Sequence, residues 1–168
     1  MDEGADESFE AAFDELFARS VRLAQRILGD GASAEDVAAE ALARAYARWP
    51  QIQELPWRDG WVLRVTSNLA IDATRNRRRP WKAVTSEDVG DGTDAIAIQL
   101  ALVAALRALP RRQREAIALR YLADLGEAEV ALALGVSAGT VKTHLHRGVV
   151  TLRRRLGTTF EEDHLAID

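Results

Sequence analysis

Apolar residues recur at helical spacing through the first half of the chain. Three stripes, over residues 9–28, 33–49 and 61–79, repeat every three or four positions, and glycine or proline closes each one. We expect Ser33 to be the N-cap of the second helix, because an acidic residue follows it three positions later as in a capping box. Residues 51–60, between the second and third stripes, predict a loop or a broken turn.

The second half of the chain is patterned in the same way. It predicts helices over 96–109, 111–122 and 127–134, followed by a long helix that ends near Leu156. Residues 83–94, between the two halves, are polar and acidic and hold two glycines, which is typical of a linker. No stretch shows the alternation of a strand, so the sequence predicts an all-α fold of two small helical domains joined by a flexible acidic linker.

The length of 168 residues allows two small domains. We place the first domain at 1–82, the linker at 83–94, the second domain at 95–158 and an acidic tail at 159–168. The chain has no cysteine, which excludes disulfides, a thiol nucleophile and cysteine-ligated metal sites.

Nothing in the sequence favours insertion into a membrane. The longest unbroken apolar run, from Leu100 to Leu106, is far too short to cross a bilayer. The N-terminus is acidic and lacks the apolar core of a signal peptide. We therefore expect a cytoplasmic protein.

The net charge of −4 hides a blockwise distribution. Two basic blocks, 16–82 with a net charge of +5 and 107–155 with +6, lie between acidic segments at 1–15, 83–106 and 156–168. Two separate surfaces for a polyanion would give this pattern, and so would two ordinary helical domains with charged faces.

Residues 124–156 have the local chemistry of a helix-turn-helix. Ala131 is small enough for a second helix to cross closely, Gly135 suits a left-handed helix end, and Ser137 is a good N-cap for the next helix. That last helix has an apolar stripe along 141–156, and its opposite side suits the major groove of DNA. The residues on that opposite side are Thr140, Lys142, Thr143, His146, Arg147 and Val150. A helical hairpin with a solvated basic face is the alternative.

Three motifs follow one another along the chain. They are SAEDVAAEALARAYARW (33–49), WVLRVTSNLAIDATRNRRR (61–79) and LRALPRRQREAIALRYLADLGEAEVALALGVSAGTVKTHLHRG (106–148). Together they resemble a bacterial RNA polymerase sigma factor of the extracytoplasmic-function class, in the sigma-70 family. The resemblance covers about residues 9–156. It implies an alternative sigma factor that binds core polymerase, recognises the −35 and −10 promoter elements, promotes strand opening at −10 and directs transcription initiation.

The resemblance also implies partners and a polymerase-facing surface. The first domain would be region 2-like and the second region 4-like. The partners would be promoter DNA, an anti-sigma protein, and core RNA polymerase through the clamp region of its largest subunit and the flap of its second-largest subunit. The polymerase-binding residues would be Asp36, Glu40 and Arg44. Many relatives carry glutamine where this chain has Ala39, a departure that would weaken or retune the clamp contact.

The second motif would supply the −10 contacts. Its aligned residues are Trp61, Arg64, Asn68, Asp72, Arg75, Arg77 and Arg78. Strand opening needs a pocket for an unstacked base, and the loop at 51–57 is the expected place because it offers an aromatic ring and amides. Asn68 needs a partner, either the protein's own backbone or a base. Trp61 also fits the core, and the arginines also suit a solvated helix end.

The third motif would supply the −35 contacts. Its matching residues are Ser137, Thr140, Lys142, Thr143, His146 and Arg147, with Arg111 and Arg114 holding the DNA backbone from the preceding helix. Lys142 and Arg147 are the best readers of guanine edges. Two modules on one linker gain from effective concentration. We hypothesise that the acidic segments lie over the basic faces in the free protein and reduce its non-specific DNA binding.

Two other functions stay open on the residues alone. One is a stand-alone helix-turn-helix regulator, and the other is a sigma-like factor that acts only by protein interaction. An enzyme is not expected, because the chain has no cysteine, no glycine-rich phosphate loop and no histidine near a paired carboxylate in the folded blocks. No cofactor or metal site is expected either, since His144 and His146 lie two apart on a helix and point to different sides.

Overall fold

The computed structural model describes residues 3–76 and 92–157. Within those two ranges the chain contains no strand, and the all-α prediction is confirmed. The α-helices are α1 (Glu3–Leu28), α2 (Gly31–Tyr46), α3 (Trp49–Ile52), α4 (Arg58–Asn76), α5 (Gly92–Arg107), α6 (Arg111–Ile117), α7 (Glu127–Leu134) and α8 (Ala138–Leu156). After α6 the chain continues into a π-helical turn, Ala118–Leu122.

Helices α1, α2 and α4 build the core of the first half. Helix α2 contributes a row of buried alanines, which let the neighbouring backbones approach closely because the side chain ends at Cβ. Larger side chains from all three helices fill the remaining space, and these are Leu16, Leu23, Ile27, Leu42, Leu63 and Ile71. The 3.6-residue stripes of the sequence thus become buried interior, with Leu16 and Leu42 in one cluster and the other four side chains in a second.

An aromatic cluster closes the end of this bundle. Trp49, on the short helix α3, is 1% exposed and lies edge-on to Phe9, with ring centroids 5.0 Å apart. Its indole Nε1 donates a hydrogen bond to Ser8 Oγ at 3.2 Å. Tyr46 Oη donates to Asp6 Oδ1 at 2.8 Å, so the acidic first turns of α1 are tied to the end of α2.

The helix-turn-helix has the local geometry that its sequence predicts. Gly135 ends α7 in the left-handed region at φ 65°, where a side chain would be strained. Ser137 caps α8, because its Oγ accepts a hydrogen bond from Thr140 N at 3.1 Å. Gly126 caps α7, and its backbone N donates to Glu129 Oε2 at 2.7 Å. Val136, in the turn, packs against the core.

Several element boundaries differ from the predictions. The N-cap of α2 is Asp30 rather than Ser33, because the Asp30 carboxylate accepts from Ser33 N at 2.8 Å. Part of the expected loop at 51–60 is helical, since α3 and α4 extend into it. Helix α5 begins at Gly92, within the expected linker, whose residues 83–91 lie outside the described part of the chain.

The two halves of the chain pack against each other. Helix α4 contacts α7 and the π-helical turn, and one continuous group of buried side chains includes Leu63 and Ile71 from α4 together with Val130 from α7. The backbones approach closely at Gly60, where an added Cβ would lie 2.7 Å from Ala133 Cβ. This contact places α4 beside the helix-turn-helix.

Candidate nucleic-acid interface

The outer face of α8 is exposed and basic. Lys142, Thr143, His146 and Arg147 are all exposed along the first half of the helix, and Thr140 is half-buried beside Ser137. Lys142 Nζ lies 3.9 Å from Glu127 Oε2, a surface pair that contributes little. This face therefore carries hydrogen-bond donors and positive charge that point into solvent.

The inner face of α8 fixes how that outer face is presented. Val141, Leu145, Val149 and Leu152 are buried against the rest of the helix-turn-helix. Gly148 lies directly against α6, where an added Cβ would come within 2.9 Å of Ile117 Cγ1. Because this side is tightly packed, the helix cannot turn about its own axis without losing the core.

The α6 arginines expected to hold a DNA backbone are bound within the protein. Arg111 Nε and Arg112 Nη1 contact the two carboxylate oxygens of Glu115 at 3.1 and 3.3 Å. Arg114 is half-buried and donates from Nη1 to the Arg107 carbonyl oxygen at 3.2 Å. Arg111 and Arg112 nevertheless stay exposed, with 68% and 47% of their side-chain surface accessible, so they can reach a phosphate without unfolding.

The α4 residues expected to meet the −10 element fall into two groups. Trp61, Arg64 and Asn68 are half-buried, whereas Asp72 and Arg75 are exposed. Arg77 and Arg78 lie outside the described residues. Arg48 stacks its guanidinium over the Trp61 ring at 5.7 Å from the centroid.

Glu115, on α6, is the residue that the sequence reasoning missed. Its side chain is completely buried, and its Oε1 accepts from Arg64 Nε at 3.1 Å and from Asn68 Nδ2 at 3.0 Å. Within the chain the partner of Asn68 is thus a side chain and not a backbone group. A sequence signal existed, because Glu115 follows Arg111 and Arg112 at helical spacing, but that spacing indicates a local surface pair and not a contact with α4.

The electrostatics of this cluster keep Glu115 ionised. Burial by itself would raise the pKa of the Glu115 carboxyl, but the hydrogen bonds from Asn68 and Arg64 and the Arg64 charge outweigh it, so the pKa lies below its ordinary value. A buried carboxylate with three guanidinium neighbours and one amide is well satisfied. One carboxylate therefore engages residues expected on both DNA-binding surfaces.

The loop expected to receive an unstacked base borders a cavity of about 370 Å³. Its wall includes Gln53, Glu54 and Trp57 from that loop. The wall also includes Leu125 and Glu129 from the second half of the chain, so the helix-turn-helix stands at the side of the cavity. The neighbouring charges are paired: Asp59 binds Arg19 at 2.9 Å and Arg58 at 2.8 Å.

The residues expected to face polymerase form a stripe on α2. Asp36, Glu40 and Arg44 are exposed and follow one another at four-residue spacing, and Glu40 pairs with Arg44 at 2.8 Å. Ala39 is exposed beside them. None of the three is needed by the core, so the stripe is available to a protein partner.

Two other kinds of site were sought within the described residues. No group of three or more histidine, cysteine, aspartate or glutamate side chains could hold a metal ion there. No helix in that part of the chain is long and apolar enough to cross a membrane.

Comparison with known proteins gives matches over most of the chain. Residues 13–80 match the family described as Sigma-70 region 2, and residues 99–152 match the family described as Sigma-70, region 4. The RNA polymerase sigma-E factor of Streptomyces coelicolor is 34% identical over 139 residues, which cover 81% of this chain and 78% of that one. The ECF RNA polymerase sigma factor SigL of Mycobacterium tuberculosis is 33% identical over 161 residues, covering 89% and 90%.

Solved structures with the same fold include two proteins bound to partner proteins, one of them a sigma factor. CnrH, in complex with the cytosolic domain of CnrY, matches with a TM-score of 0.61 and 21% identity, over 90% of this chain and 94% of that one. RpoE of Bartonella quintana, in complex with the anti-sigma factor NepR, matches with a TM-score of 0.55 and 21% identity, over 88% and 96%.

Proposed function

Since the chain belongs to the extracytoplasmic-function class of the sigma-70 family of RNA polymerase sigma factors, we propose that its two helical domains read the two promoter elements separately. The chain is an alternative sigma factor: it binds core RNA polymerase and promoter DNA and directs transcription initiation. In this proposal residues 1–82 bind polymerase and the −10 element, and residues 95–158 bind the −35 element. Residues 83–94 link the two domains.

The exposed basic face of α8 is the observation that carries the proposal. Lys142, Thr143, His146 and Arg147 occupy one solvent-facing side of a helix whose other side is packed into the core. The helix starts at a serine-capped N-terminus, which also favours a phosphate. A rigid helix with these donors at its N-terminal half suits the major groove of the −35 element.

The α4 face supplies the −10 contacts in the same proposal. Arg64 and Arg75 would hold the phosphates of the opened strand, and Asn68 would hydrogen-bond a base edge. The cavity beside Trp57 offers a place for an unstacked base next to this helix. Trp61, half-buried under Arg48, would brace that region rather than enter the DNA.

The remaining roles follow from the class. Asp36, Glu40 and Arg44 on α2 would contact the polymerase clamp, and RNA synthesis would be left to polymerase, so this chain would act without catalysis of its own. We infer that it works in the cytoplasm, where polymerase and promoters are found. An anti-sigma protein would hold it inactive, as the complex of the sigma factor RpoE with the anti-sigma factor NepR suggests.

Run-off transcription tests the proposal. Core bacterial polymerase is mixed with the protein and a pool of promoter fragments, and transcripts that depend on the added protein are selected. Combining Lys142→Ala with Arg147→Ala should lower duplex affinity on the order of a hundredfold, because each base contact is worth about 1–3 kcal/mol, and should remove those transcripts. The matched control is Arg154→Ala with Arg155→Ala, which removes the same charge from the exposed end of α8.

Each outcome has a definite meaning. Transcripts that survive the first double variant would contradict the assignment of the −35 contacts to α8. Polymerase binding without any transcripts would favour a sigma-like factor that acts only by protein interaction. Duplex binding without polymerase binding would indicate a stand-alone regulator.

A further inference from the structure

Helix α5 presents an apolar face to solvent. Within residues 95–106 its single polar side chain is Gln99, and that amide donates from Nε2 to the Ile27 carbonyl oxygen at 3.1 Å. Ile98 and Leu100 are 43% and 64% exposed. A helix on the surface of a globular protein normally turns charged residues outward, so an exposed apolar face of this kind indicates a site of interaction.

That face forms one wall of a groove. A cavity of about 480 Å³ lies between α5 and the last turn of α8, with Ile98 and Ala101 from α5 and Arg155 and Leu156 from α8 in its lining. Its size falls within the roughly 300–1,000 Å³ of clefts that receive ligands. The lining is apolar except for Arg155, which is exposed. An occupant should therefore combine apolar side chains with negative charge.

We propose that residues 158–168 of the same chain, TTFEEDHLAID, pack in this groove and cover the apolar face of α5. The segment lies outside the described residues, and it follows Gly157, the residue next to Leu156 in the lining of the groove. It combines three large apolar side chains with four carboxylates and has no lysine or arginine. This composition matches the lining in both hydrophobicity and charge.

The chain leaves α8 at a place from which it can enter the groove. Gly157 ends the helix with φ 62°, in the region that glycine adopts without strain, so the chain turns away from the helix axis beside Leu156. Eleven extended residues reach about 36 Å, whereas the 16 residues of α5 are about 24 Å long. The segment is therefore long enough to follow the exposed face along the whole helix.

Charge favours this segment over a second copy of the chain. Arg153, Arg154 and Arg155 are exposed at the end of α8, where the four carboxylates of the segment would lie near them. In a symmetric dimer built on the same groove, the arginines of one copy would meet those of the other, and their repulsion would weaken the contact. The segment is also tied to the groove by the chain itself, which keeps its effective concentration at about the millimolar level.

The proposal gives the segment a role in association with other proteins. Arg155 lies eight positions beyond Arg147, which is about 12 Å along α8, so a segment in the groove leaves the DNA-reading residues uncovered. While the groove is filled, an apolar helix from a partner can use α5 only after displacing the segment. The apparent affinity of such a partner is therefore reduced to the fraction of molecules whose groove is empty.

Covalent trapping tests the placement, because the chain has no cysteine of its own. One thiol is introduced in the segment by Ala166→Cys and one in the groove by Ala101→Cys, and a short bismaleimide joins thiols that lie close together. The matched control moves the second thiol to Ala128→Cys, an exposed position on α7 outside the lining of the groove. We expect the Ala101→Cys pair to link within one molecule, at a rate independent of protein concentration and about tenfold faster than the control pair.

Removing the apolar side chains of the segment tests what holds it in the groove. Phe160→Ser with Leu165→Ser leaves all four acidic residues, and Thr158→Ser with Thr159→Ser is the matched control. The first pair should slow the linking of Ala101→Cys about tenfold, because the burial of two large side chains is lost. It should also raise the fluorescence of anilinonaphthalene sulfonate, which binds exposed apolar surface. The control pair should match the wild type in both measurements.

Three results would overturn the inference. Equal linking rates for Ala101→Cys and Ala128→Cys would mean that the segment has no defined place. Linking only between two molecules, seen as a doubled mass and a rate that rises with protein concentration, would assign the groove to a second copy. Unchanged linking and dye fluorescence in Phe160→Ser with Leu165→Ser would show that its apolar side chains do not cover α5. None of these measurements uses DNA or polymerase, so their outcome is independent of the proposed function.

Discussion

Helices α4 and α8 are both 19 residues long, and both present polar side chains of the kinds that bind nucleic acid, but α4 keeps Arg64 and Asn68 half-buried. The α8 face, with Lys142 and Arg147, points into solvent. On α4, Arg64 retains only 21% of its side-chain surface and shares a buried carboxylate with Asn68. The comparison shows that residue type decides what a surface can bind, while the neighbouring domain decides whether it is accessible.

The largest effect is expected from holding the two domains together. Arg26→Cys and Asp124→Cys place two thiols at an exposed interdomain pair in a chain that otherwise has none. When a short cleavable bismaleimide joins these two thiols, the protein should give run-off transcripts only at background level, because α4 cannot reach the DNA strand. Cleaving the cross-link should restore transcription. Full activity of the cross-linked protein would contradict the inference that the second domain limits the access of DNA to α4.

The support behind α8 is expected to be the next most sensitive feature. Gly148→Val adds a branched side chain where a Cβ alone would meet Ile117 Cγ1 at 2.9 Å, so urea unfolding should show a loss of about 1–3 kcal/mol, with weaker duplex binding. Gly139→Ala on the same helix is the matched control, because its Cβ would meet only Ser137 Oγ at 3.8 Å. Equal effects of the two substitutions would show that packing against α6 does not position α8.

A smaller effect is expected at the N-terminus of α8. Ser137→Ala removes the hydrogen bond to Thr140 N and should lower the free energy of unfolding by about 1 kcal/mol in urea titrations. Ser137→Asp keeps an N-cap acceptor and should retain that stability, although it should weaken DNA binding by adding a negative charge. If Ser137→Ala were neutral, the cap would not contribute to the stability of α8.

The smallest effect near neutral pH is expected from titrating Glu115. Its folded pKa lies below the ordinary value of 4.5, so the stabilisation that it gives to the contact with Arg64 and Asn68 is complete above that value and is lost as the pH falls through the lowered pKa. Energy transfer between dyes attached at Ala32→Cys and Ala128→Cys, one in each domain, should stay constant down to the ordinary value and decrease only in more acidic solution. Glu115→Gln should lack this acid transition, and a wild-type transition near neutral pH would contradict the assignment.

Most of the local structure could be predicted from the sequence. Periodicity located the long helices, because burying one face of a helix demands apolar residues every three or four positions. The turn before α8 was predictable residue by residue, since Gly135 and Ser137 act on their immediate neighbours. The N-cap of α2 was predicted three residues too late. Ser33 supplies the backbone N–H donor, and the Asp30 carboxylate is the acceptor.

The site was less predictable where it depends on distant residues. Asn68 was expected to need a partner, but the candidates were a backbone group or a base, and the structure pairs it with Glu115, 47 residues away. The hypothesis that acidic segments mask basic faces placed the acids at the chain ends and in the linker. Glu115, the acid that meets the α4 donors, belongs to the basic second block and was not among those acids.

The sequence by itself determined that this chain is helical and that it carries a helix-turn-helix, because caps, turns and hydrophobic stripes act over a few residues. The sigma-factor family came from the resemblance of its three motifs. Only the tertiary structure decided that Arg64 and Asn68 face Glu115 and that the helix-turn-helix stands beside the cavity at Trp57. The physical reason is that a hydrogen bond between two domains depends on how their surfaces pack together. The spacing of residues along the chain does not specify that packing.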